Sequence, residues 1–386
     1  SGYVTQFLVQ HFGVNPNWLY GFNGILISHT LALTPMAFML LEGALKNLSP
    51  KLEEAAVMLG ANRWQSFRFI ELPLLKPALA NAFLIVMVQS LADFSSPFVL
   101  GGNFDVLATQ IYFYIVGAQN DYFSASALGI ILLSISFGIF WLQYHFIGRK
   151  NYVTLSGKGF EGRNTPLSFG LKITVVSIFA AWVGFNALLY GSIFYGSVMQ
   201  SWGVNHTFTL QHYITLFGQG WKNGAIPSLV QTVLFAVIAA PFTAVSGFLL
   251  AYFFSRHRFF GQKHIEFLTL LSFAVPGTVA GVSYILAFNN VPLYLTGTGA
   301  IIVLSMVTRN MPIGLRAALV NFKQLDPALD EAAYSLKASA FQTLRFITLP
   351  LLKPALLSSL VTSFVRAMTT ISAIIFLVTP STRVAT

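Results

Sequence analysis

Eight stretches of this chain are apolar over roughly 20 residues, the length that an α-helix needs to cross a bilayer. Lipid offers no partner for exposed backbone groups, so only helices or closed barrels span it. Composition agrees, because 9% of the 386 residues are charged, whereas soluble domains carry about 25% charge. The sequence therefore predicts an all-α polytopic membrane protein. The predicted spans cover residues 25–45, 79–99, 127–146, 167–190, 226–254, 265–288, 300–319 and 355–378.

The basic residues indicate which side of the membrane each loop faces. Most of the 22 lysines and arginines lie in four segments, which follow the first, third, fifth and seventh predicted spans. Cytoplasmic loops carry the excess of Lys and Arg in membrane proteins. These four segments are therefore predicted to be cytoplasmic.

An internal repeat divides the chain. Residues 52–79 recur at 329–356, an offset of 277, with 18 of 28 positions identical. Such self-similarity predicts two homologous halves, which we place at 1–150 and 151–386. The two copies of the repeat are flanked by unequal numbers of predicted spans, so by this count both halves are incomplete in the given sequence. We expect about three further spans before Ser1 and one after Thr386 by comparison between the copies.

Both copies of the repeat lie in predicted cytoplasmic segments, at 48–73 and 325–350. Ser49-Pro50 and Asp326-Pro327 each place an N-capping residue before a proline, an arrangement typical of a helix start. Acidic residues then favour the positive end of the helix dipole, and a pair of alanines leaves room for a second surface. A loop that only connects two spans does not need the same sequence twice, so the repeat predicts docking helices for two copies of one partner.

The repeated segment resembles the EAA loop of binding-protein-dependent ABC importer permeases. The first copy matches the family spacing throughout, whereas the second has Lys337 in place of the family glycine. We therefore expect the turn between its two helices to have a different shape, and mutations in the two loops to have unequal effects. The matching residues are Glu54, Ala55, Ala56, Gly60, Ile70, Leu72 and Pro73, and then Glu331, Ala332, Ala333, Ile347, Leu349 and Pro350.

The resemblance implies the type I ABC importer permease fold, with pseudo-symmetric halves and a translocation path. It implies a multi-pass protein of the bacterial inner membrane, coupled through each EAA loop to one of two ABC ATPase subunits. It also implies a periplasmic substrate-binding protein on the other side. The chain itself is then no enzyme and holds no cofactor, since ATP and Mg²⁺ belong to the partner ATPase.

Several kinds of chemistry have no motif in this chain. No Gly-x-x-x-x-Gly-Lys-[Ser/Thr] loop occurs, so ATP binding through a P-loop is excluded. The seven histidines form no metal-ligand pair and there is no cysteine, so no metal site is predicted. No catalytic constellation stands out, and the basic residues form no nucleic-acid-binding face.

Charged residues at membrane depth are costly, which makes them functional candidates. In the register of the repeat, Gln89 aligns with Arg366 and Asp93 aligns with Thr370. Two interpretations stay open. The residues form a polar lining of the path, or they have structural roles, with Arg366 and Asp93 forming an ion pair or Arg309 reaching toward the membrane interface. The path candidates are Gln89, Asp93, Arg309, Arg366 and Thr370.

The substrate is suggested mainly by resemblance. The segments 92–97, 101–109, 148–154 and 368–373 resemble two-half ferric iron permeases, whose relatives carry sugar phosphates or phosphonates. Asp93 alone offers an acidic ligand at membrane depth, and two arginines favour an anion. Ferric iron is the first expectation and a phosphorylated organic anion the second, whereas an ATP-independent channel or receptor is the alternative from another class.

Overall fold

The computed structural model describes the chain except for residues 1, 47, 118–119, 144–167, 203, 219–224, 258, 327 and 386. The regular secondary structure of the described part is helical apart from one small antiparallel sheet, of β1 (Met199–Ser201) and β2 (Asn205–Phe208). The predicted all-α class is confirmed. The predicted border between the halves at residue 150 lies outside the described residues and stays a prediction.

The helices are numbered in chain order. The first ten are α1 (Tyr3–Phe12), α2 (Phe22–Lys46), α3 (Pro50–Met58), α4 (Arg63–Ser66), α5 (Leu72–Ala92), α6 (Ser95–Leu100), α7 (Leu107–Val116), α8 (Tyr122–Leu142), α9 (Phe169–Ser197) and α10 (Gln211–Gly218). The others are α11 (Ala225–Arg256), α12 (Gln262–Leu271), α13 (Gly277–Phe288), α14 (Gly299–Gln324), α15 (Ala328–Ser335), α16 (Ala340–Thr343) and α17 (Leu349–Met368). Short π-helical turns, Phe67–Glu71 and Leu344–Thr348, lead into α5 and α17, and a 3₁₀ turn covers Ile374–Phe376.

Six of the described helical segments are long and apolar enough to cross a membrane, which confirms a multi-pass protein. The seventh predicted span lies within α14, which is not among these six segments. The six segments are Phe22–Lys46, Arg63–Ala92, Tyr122–Leu142, Phe169–Ser197, Ala225–Arg256 and Ala340–Met368.

Three predicted spans are wrong as continuous helices. The span 79–99 breaks after Ala92, since the Asp93 carboxylate accepts hydrogen bonds from the Ser95 and Ser96 N–H groups and so starts a new helix. The span 265–288 breaks between α12 and α13, where Pro276 has no N–H to donate. The span 355–378 ends at Met368, because the hydroxyls of Thr369 and Thr370 bond back to carbonyls of the last turn.

The described chain forms two compact units. The first unit comprises Ser1–Phe83 and Phe146–Ile226, and the second comprises Leu84–His145 and Pro227–Thr386. In the first unit, α9 has no buried residue although most of its residues are apolar, as expected of a helix that faces lipid. The second unit holds both hydrophobic cores, one around Ile111, Ile301 and Met306 and one around Phe248, Leu315 and Phe322.

Small residues bring the backbones of the second unit close together. A Cβ on Gly247 of α11 would lie 2.9 Å from the Leu315 nitrogen of α14. A Cβ on Gly314 would lie 2.9 Å from the Ser359 hydroxyl of α17. Close approach of this kind is typical of helices packed in membranes, and here it places the charged residues of α14 and α17 in one region.

Candidate functional site

The two repeated segments that are predicted to be cytoplasmic, which we call the first and second loop, fold in the same way. The first loop consists of α3, α4 and the π turn Phe67–Glu71, and the second consists of α15, α16 and the π turn Leu344–Thr348. From α4 to the start of α5, each boundary recurs in the second loop at the sequence offset of 277. The prediction of two helices per loop is therefore confirmed.

The turn between the two helices has the same conformation in both loops. Gly60 has φ of +84° and Lys337 has φ of +57°, so both backbones are left-handed. The N–H of Ala61 donates to the Ala56 carbonyl at 3.0 Å, and the N–H of Ala338 donates to the Ala333 carbonyl at 3.0 Å. The expectation that Lys337 reshapes this turn is wrong, since the closing hydrogen bonds hold the lysine in a conformation that glycine adopts more easily.

The second short helix of each loop begins with a capping box. In the first loop, Asn62 accepts from the Gln65 N–H, and the Gln65 side chain accepts from the Asn62 N–H, both at 2.8 Å. In the second loop, Ser339 and Gln342 exchange the same two bonds. Reciprocal bonds of this type satisfy two backbone donors at the helix start, so different residues preserve one geometry.

The alanine pair of each loop is divided between surface and interior. Ala55 and Ala332 are exposed, as predicted for contact with a second surface, but Ala56 and Ala333 are buried within the loop. The sequence did not indicate this burial, and the role of the alanine pairs in coupling stays a prediction. Glu54 and Glu331 are exposed.

Apolar side chains at the end of each first helix form a surface that the sequence analysis missed. Met58 and Leu59 are each 88% exposed, and Tyr334 and Leu336 are 82% and 84% exposed. Leu59 and Leu336 occupy equivalent positions of the repeat. Large apolar residues grouped on a loop with charged neighbours are a feature of protein interaction sites. The presence of such residues in both copies of the repeat could have revealed this surface from the sequence.

The second loop is also tied to its own unit by charge. Arg256, at the end of α11, places its Nε atom 2.8 Å from Oδ2 of Asp330, and both side chains are mostly buried. The Asp326 side chain accepts from the N–H of Ala328 at 2.9 Å and so caps α15. In the first loop, Ser49 occupies the N-cap position of α3 without a side-chain hydrogen bond.

A polar cavity in the second unit has a volume of about 200 Å³. All five predicted path candidates line it, so the structure brings together residues that the sequence places on three separate segments. The lining residues are Gln89, Asp93, Ser95, Ser272, Phe273, Arg309, Asn310, Ile313, Arg366, Thr369, Thr370, Ile371 and Ser372.

The cavity lies where three helices are interrupted. Asp93 and Ser95 flank the break after α5, Ser272 and Phe273 lie between α12 and α13, and residues 369–372 follow α17. Irregular backbone at membrane depth is tolerated where protein buries it or where it lines a water-filled cavity. Sequence reasoning missed Ser272, Phe273 and Asn310, and the Pro276 break was the signal that could have found the first two.

The charged groups of the cavity are held differently. Asp93 accepts the N–H groups of Ser95 and Ser96, each at 3.1 Å. The Nη1 atom of Arg309 is buried and makes no hydrogen bond within the described part of the chain. The predicted pairing of Arg366 with Asp93 stays a prediction, although both residues line the same cavity.

Metal-ligating side chains are scattered in the structure. Among the residues that the structure describes, no group of three or more His, Cys, Asp or Glu side chains is placed to hold a metal ion. The cavity therefore offers positive charge, hydroxyls and amides rather than a carboxylate cluster.

The chain matches a known class of membrane component. Residues 4–152 match the family described as "Binding-protein-dependent transport system inner membrane component". This match confirms the predicted resemblance to binding-protein-dependent permeases and agrees with a multi-pass protein of the inner membrane.

The chain is also similar to individual permease proteins. FbpB 1 of Haemophilus influenzae is 62% identical over 385 residues, which is all of this chain and 61% of that protein. The ferric transport system permease protein FbpB of Actinobacillus pleuropneumoniae is 61% identical over 387 residues, or 56% of that protein. The sulfate transport system permease protein CysT of Salmonella typhimurium is 32% identical over 175 residues. The chain thus spans little more than half of the length of the first two relatives.

Proposed function

We propose that this chain belongs to the membrane subunit of an ATP-driven importer, that it contributes to the translocation path, and that its two loops transmit the work of ATP hydrolysis. The observation that carries this proposal is the repetition of one loop structure with one pattern of exposure. A transporter with two motor subunits needs two equivalent contact surfaces, and a channel or receptor without ATP coupling does not.

Each loop would dock in one ATPase subunit by its exposed groups. Glu54 with Leu59, and Glu331 with Leu336, combine an exposed carboxylate with an exposed apolar side chain. Apolar contact supplies affinity and a flanking charge supplies orientation. ATP and Mg²⁺ would be held by these partner subunits.

The cavity of the second unit is the best candidate for part of the path. In transporters, substrate sites are commonly formed by interrupted helices near the middle of the membrane. Three interruptions meet at this cavity, and charged side chains from α14 and α17 line it. A periplasmic binding protein would deliver the substrate from the other side of the membrane.

Ferric iron is the substrate that similarity favours. The name of FbpB of Actinobacillus pleuropneumoniae assigns ferric transport to that protein, and its identity of 61% extends over the whole of this chain. A phosphorylated organic anion is the second candidate, which the two arginines of the cavity favour.

Reconstitution tests the proposal. The full-length protein would be placed in proteoliposomes with its ATPase subunits and binding protein, and accumulation of ⁵⁵Fe would be measured with ATP or with a non-hydrolysable analogue. We expect uptake only with ATP and only with the ATPase subunits present. Equal uptake under all conditions would contradict an ATP-driven importer. ATP-dependent uptake of a labelled phosphonate without iron uptake would contradict the ferric assignment.

A further inference from the structure

We propose that the cavity of the second unit binds an oxyanion between Arg309 and Arg366, so that iron crosses as an anion-bound ferric complex rather than as the bare ion. This inference rests on the proposed function and names the chemical class of its substrate. The ligand chemistry is that of a phosphate or a carboxylate, whether free or carried on iron.

The balance of charge favours an anion. The ionisable groups that line the cavity are Asp93, Arg309 and Arg366, so two guanidinium groups face one carboxylate. The carboxylate of Asp93 already accepts two backbone N–H groups. Positive charge is therefore in excess, and at membrane depth such an excess is costly unless an anion compensates it.

One guanidinium still has hydrogen-bonding capacity. Arg309 Nη1 is buried without a hydrogen-bond partner among the described residues. A Cβ on Gly277 would lie 2.5 Å from this Nη1 atom and would also clash with the Ser372 hydroxyl, so both polar groups lie close to the Gly277 Cα atom. A buried donor without a partner is unfavourable, and a movement of Arg309 toward a bound oxyanion would satisfy it.

The helix that begins at Gly277 adds to the positive potential. α13 has 12 residues, and the first N–H groups of a helix have no acceptor within it. The helix dipole places partial positive charge at this end. Arg309 and the start of α13 therefore act in the same direction, and anions bind at helix N-termini for this reason.

The other lining groups suit an oxyanion better than a bare trivalent cation. Hydroxyls and amides of Ser95, Ser272, Asn310 and Ser372 line the cavity, and such groups can donate to phosphate or carboxylate oxygens. A hard cation requires several oxygen ligands with negative charge. Asp93 is the single carboxylate among the lining residues.

Binding measurements on the purified full-length protein in lipid nanodiscs test the inference. Three probes are used separately: ³²P-labelled inorganic phosphate, ⁵⁵Fe as ferric citrate, and Tb³⁺ as a hard trivalent cation without an anion. We expect saturable binding of ferric citrate, and competition between ferric citrate and phosphate if the site also takes the free oxyanion. Arg366→Gln should weaken binding at least tenfold, about 1.4 kcal/mol, and Arg366→Lys should restore part of it.

A carboxylate variant separates the two kinds of site. Asp93→Asn removes the negative charge and keeps one acceptor oxygen, for either the Ser95 or the Ser96 N–H group. An oxyanion site predicts that Asp93→Asn binds ferric citrate several times more tightly, whereas a cation site predicts loss of Tb³⁺ binding. This variant stays informative if Arg366→Gln fails to fold.

Arg316→Gln is the matched control. Arg316 lies on α14 like Arg309, but its guanidinium lies over the Phe273 ring at 5.5 Å and does not line the cavity. It should bind the probes within about twofold of the wild type. An equal loss in Arg316→Gln and Arg366→Gln would mean that general positive charge attracts the probe, and it would overturn the site.

The remaining outcomes distinguish this inference from the proposed function. Tb³⁺ binding that depends on Asp93 and displaces ferric citrate would overturn the oxyanion site, and so would failure of both oxyanion probes to bind. If ATP-driven ⁵⁵Fe uptake persists in either case, the proposed function stands. If phosphate binds through Arg366 but no iron uptake is found, the site stands and the ferric assignment fails.

Discussion

The first and second loops have one backbone but are fastened in different ways. Both place a left-handed residue at the turn, both use a capping box, and both expose a glutamate beside large apolar side chains. The second loop adds an ion pair from Arg256 to Asp330 and a side-chain cap from Asp326. Among the described residues, Glu53 of the first loop makes no ion pair equivalent to that of Asp330. The shared features define the fold and the exposed surface of both loops, and the different features tie the second loop to Arg256 and cap its first helix.

The largest effect is expected from reversing the charge of the shared surface. The double variant Glu54→Lys with Glu331→Lys should lower ATP-driven uptake at least tenfold, because like charges would oppose docking at both loops. Insertion into the membrane should be unchanged, and Glu42→Lys, which breaks an exposed ion pair at the end of α2, is the control. Normal uptake by the double variant would contradict the docking role.

The single variants sharpen the comparison of the loops. The expectation of unequal effects rested on Lys337, and its basis is lost because the turns coincide. Glu54→Lys and Glu331→Lys should now reduce uptake to similar extents in the same proteoliposome measurement. A large inequality would mean that the fastening of the second loop, rather than its surface, controls coupling.

A smaller effect is expected where the second loop is fastened. Asp330→Asn should lower the local free energy of unfolding of α15 by about 1–2 kcal/mol, between the values for exposed and buried ion pairs. Glu53→Gln, at the equivalent position, should change α3 by less than about 0.5 kcal/mol. Hydrogen exchange of the two helices measures both values. Equal changes would refute the difference in fastening.

Substitutions at the left-handed residue of each turn should have opposite effects on the stability of the two loops. Gly60→Ala should destabilise the first loop by about 1 kcal/mol, since a Cβ is unfavourable at this φ. Lys337→Gly should stabilise the second loop by about 0.5–1 kcal/mol for the same reason, reduced by the entropy of glycine in the unfolded chain. Hydrogen exchange at Ala61 and Ala338 reports the closing bonds. Stabilisation by Gly60→Ala would show that the turn is not left-handed in the membrane-inserted protein.

The smallest expected effect concerns the helix caps. Asp326→Ala removes the bond to the Ala328 N–H and should cost about 0.5–1 kcal/mol. Ser49→Ala should cost less, because Ser49 makes no side-chain cap bond. Rates of limited proteolysis before α3 and α15 provide the measurement. A larger effect of Ser49→Ala would reverse the comparison.

Much of the fold could be predicted from the sequence, but the helix breaks could not. The length of the apolar stretches located the spans, since a span is recognised from the mean hydropathy of about 20 residues. The break at Asp93 depends on one side chain that caps a new helix, and the break at Thr369 depends on hydroxyls that bond to the preceding turn. Such bonds compete locally with the helix and leave the mean hydropathy unchanged.

Site residues could be predicted from the sequence where they are charged and lie within an apolar span, because burying a charge in the membrane costs free energy. The intramembrane charges Asp93, Arg309 and Arg366 stood out for this reason and all line the cavity. Phe273 did not stand out, because an aromatic residue in an apolar run carries no signal. The burial of Ala56 and Ala333 depends on tertiary packing, which the spacing of the repeat does not reveal.

Protection of the two loops by the ATPase tests the central claim most directly. The 386 residues contain no cysteine, so Leu59→Cys and Leu336→Cys introduce single thiols at equivalent exposed positions. Phe260→Cys, at a fully exposed residue outside both loops, is the control. On addition of the ATPase subunits, maleimide labelling should fall at least tenfold at positions 59 and 336 and stay unchanged at 260, because docking buries the exposed apolar side chains. Undiminished labelling at either loop would contradict two equivalent docking sites.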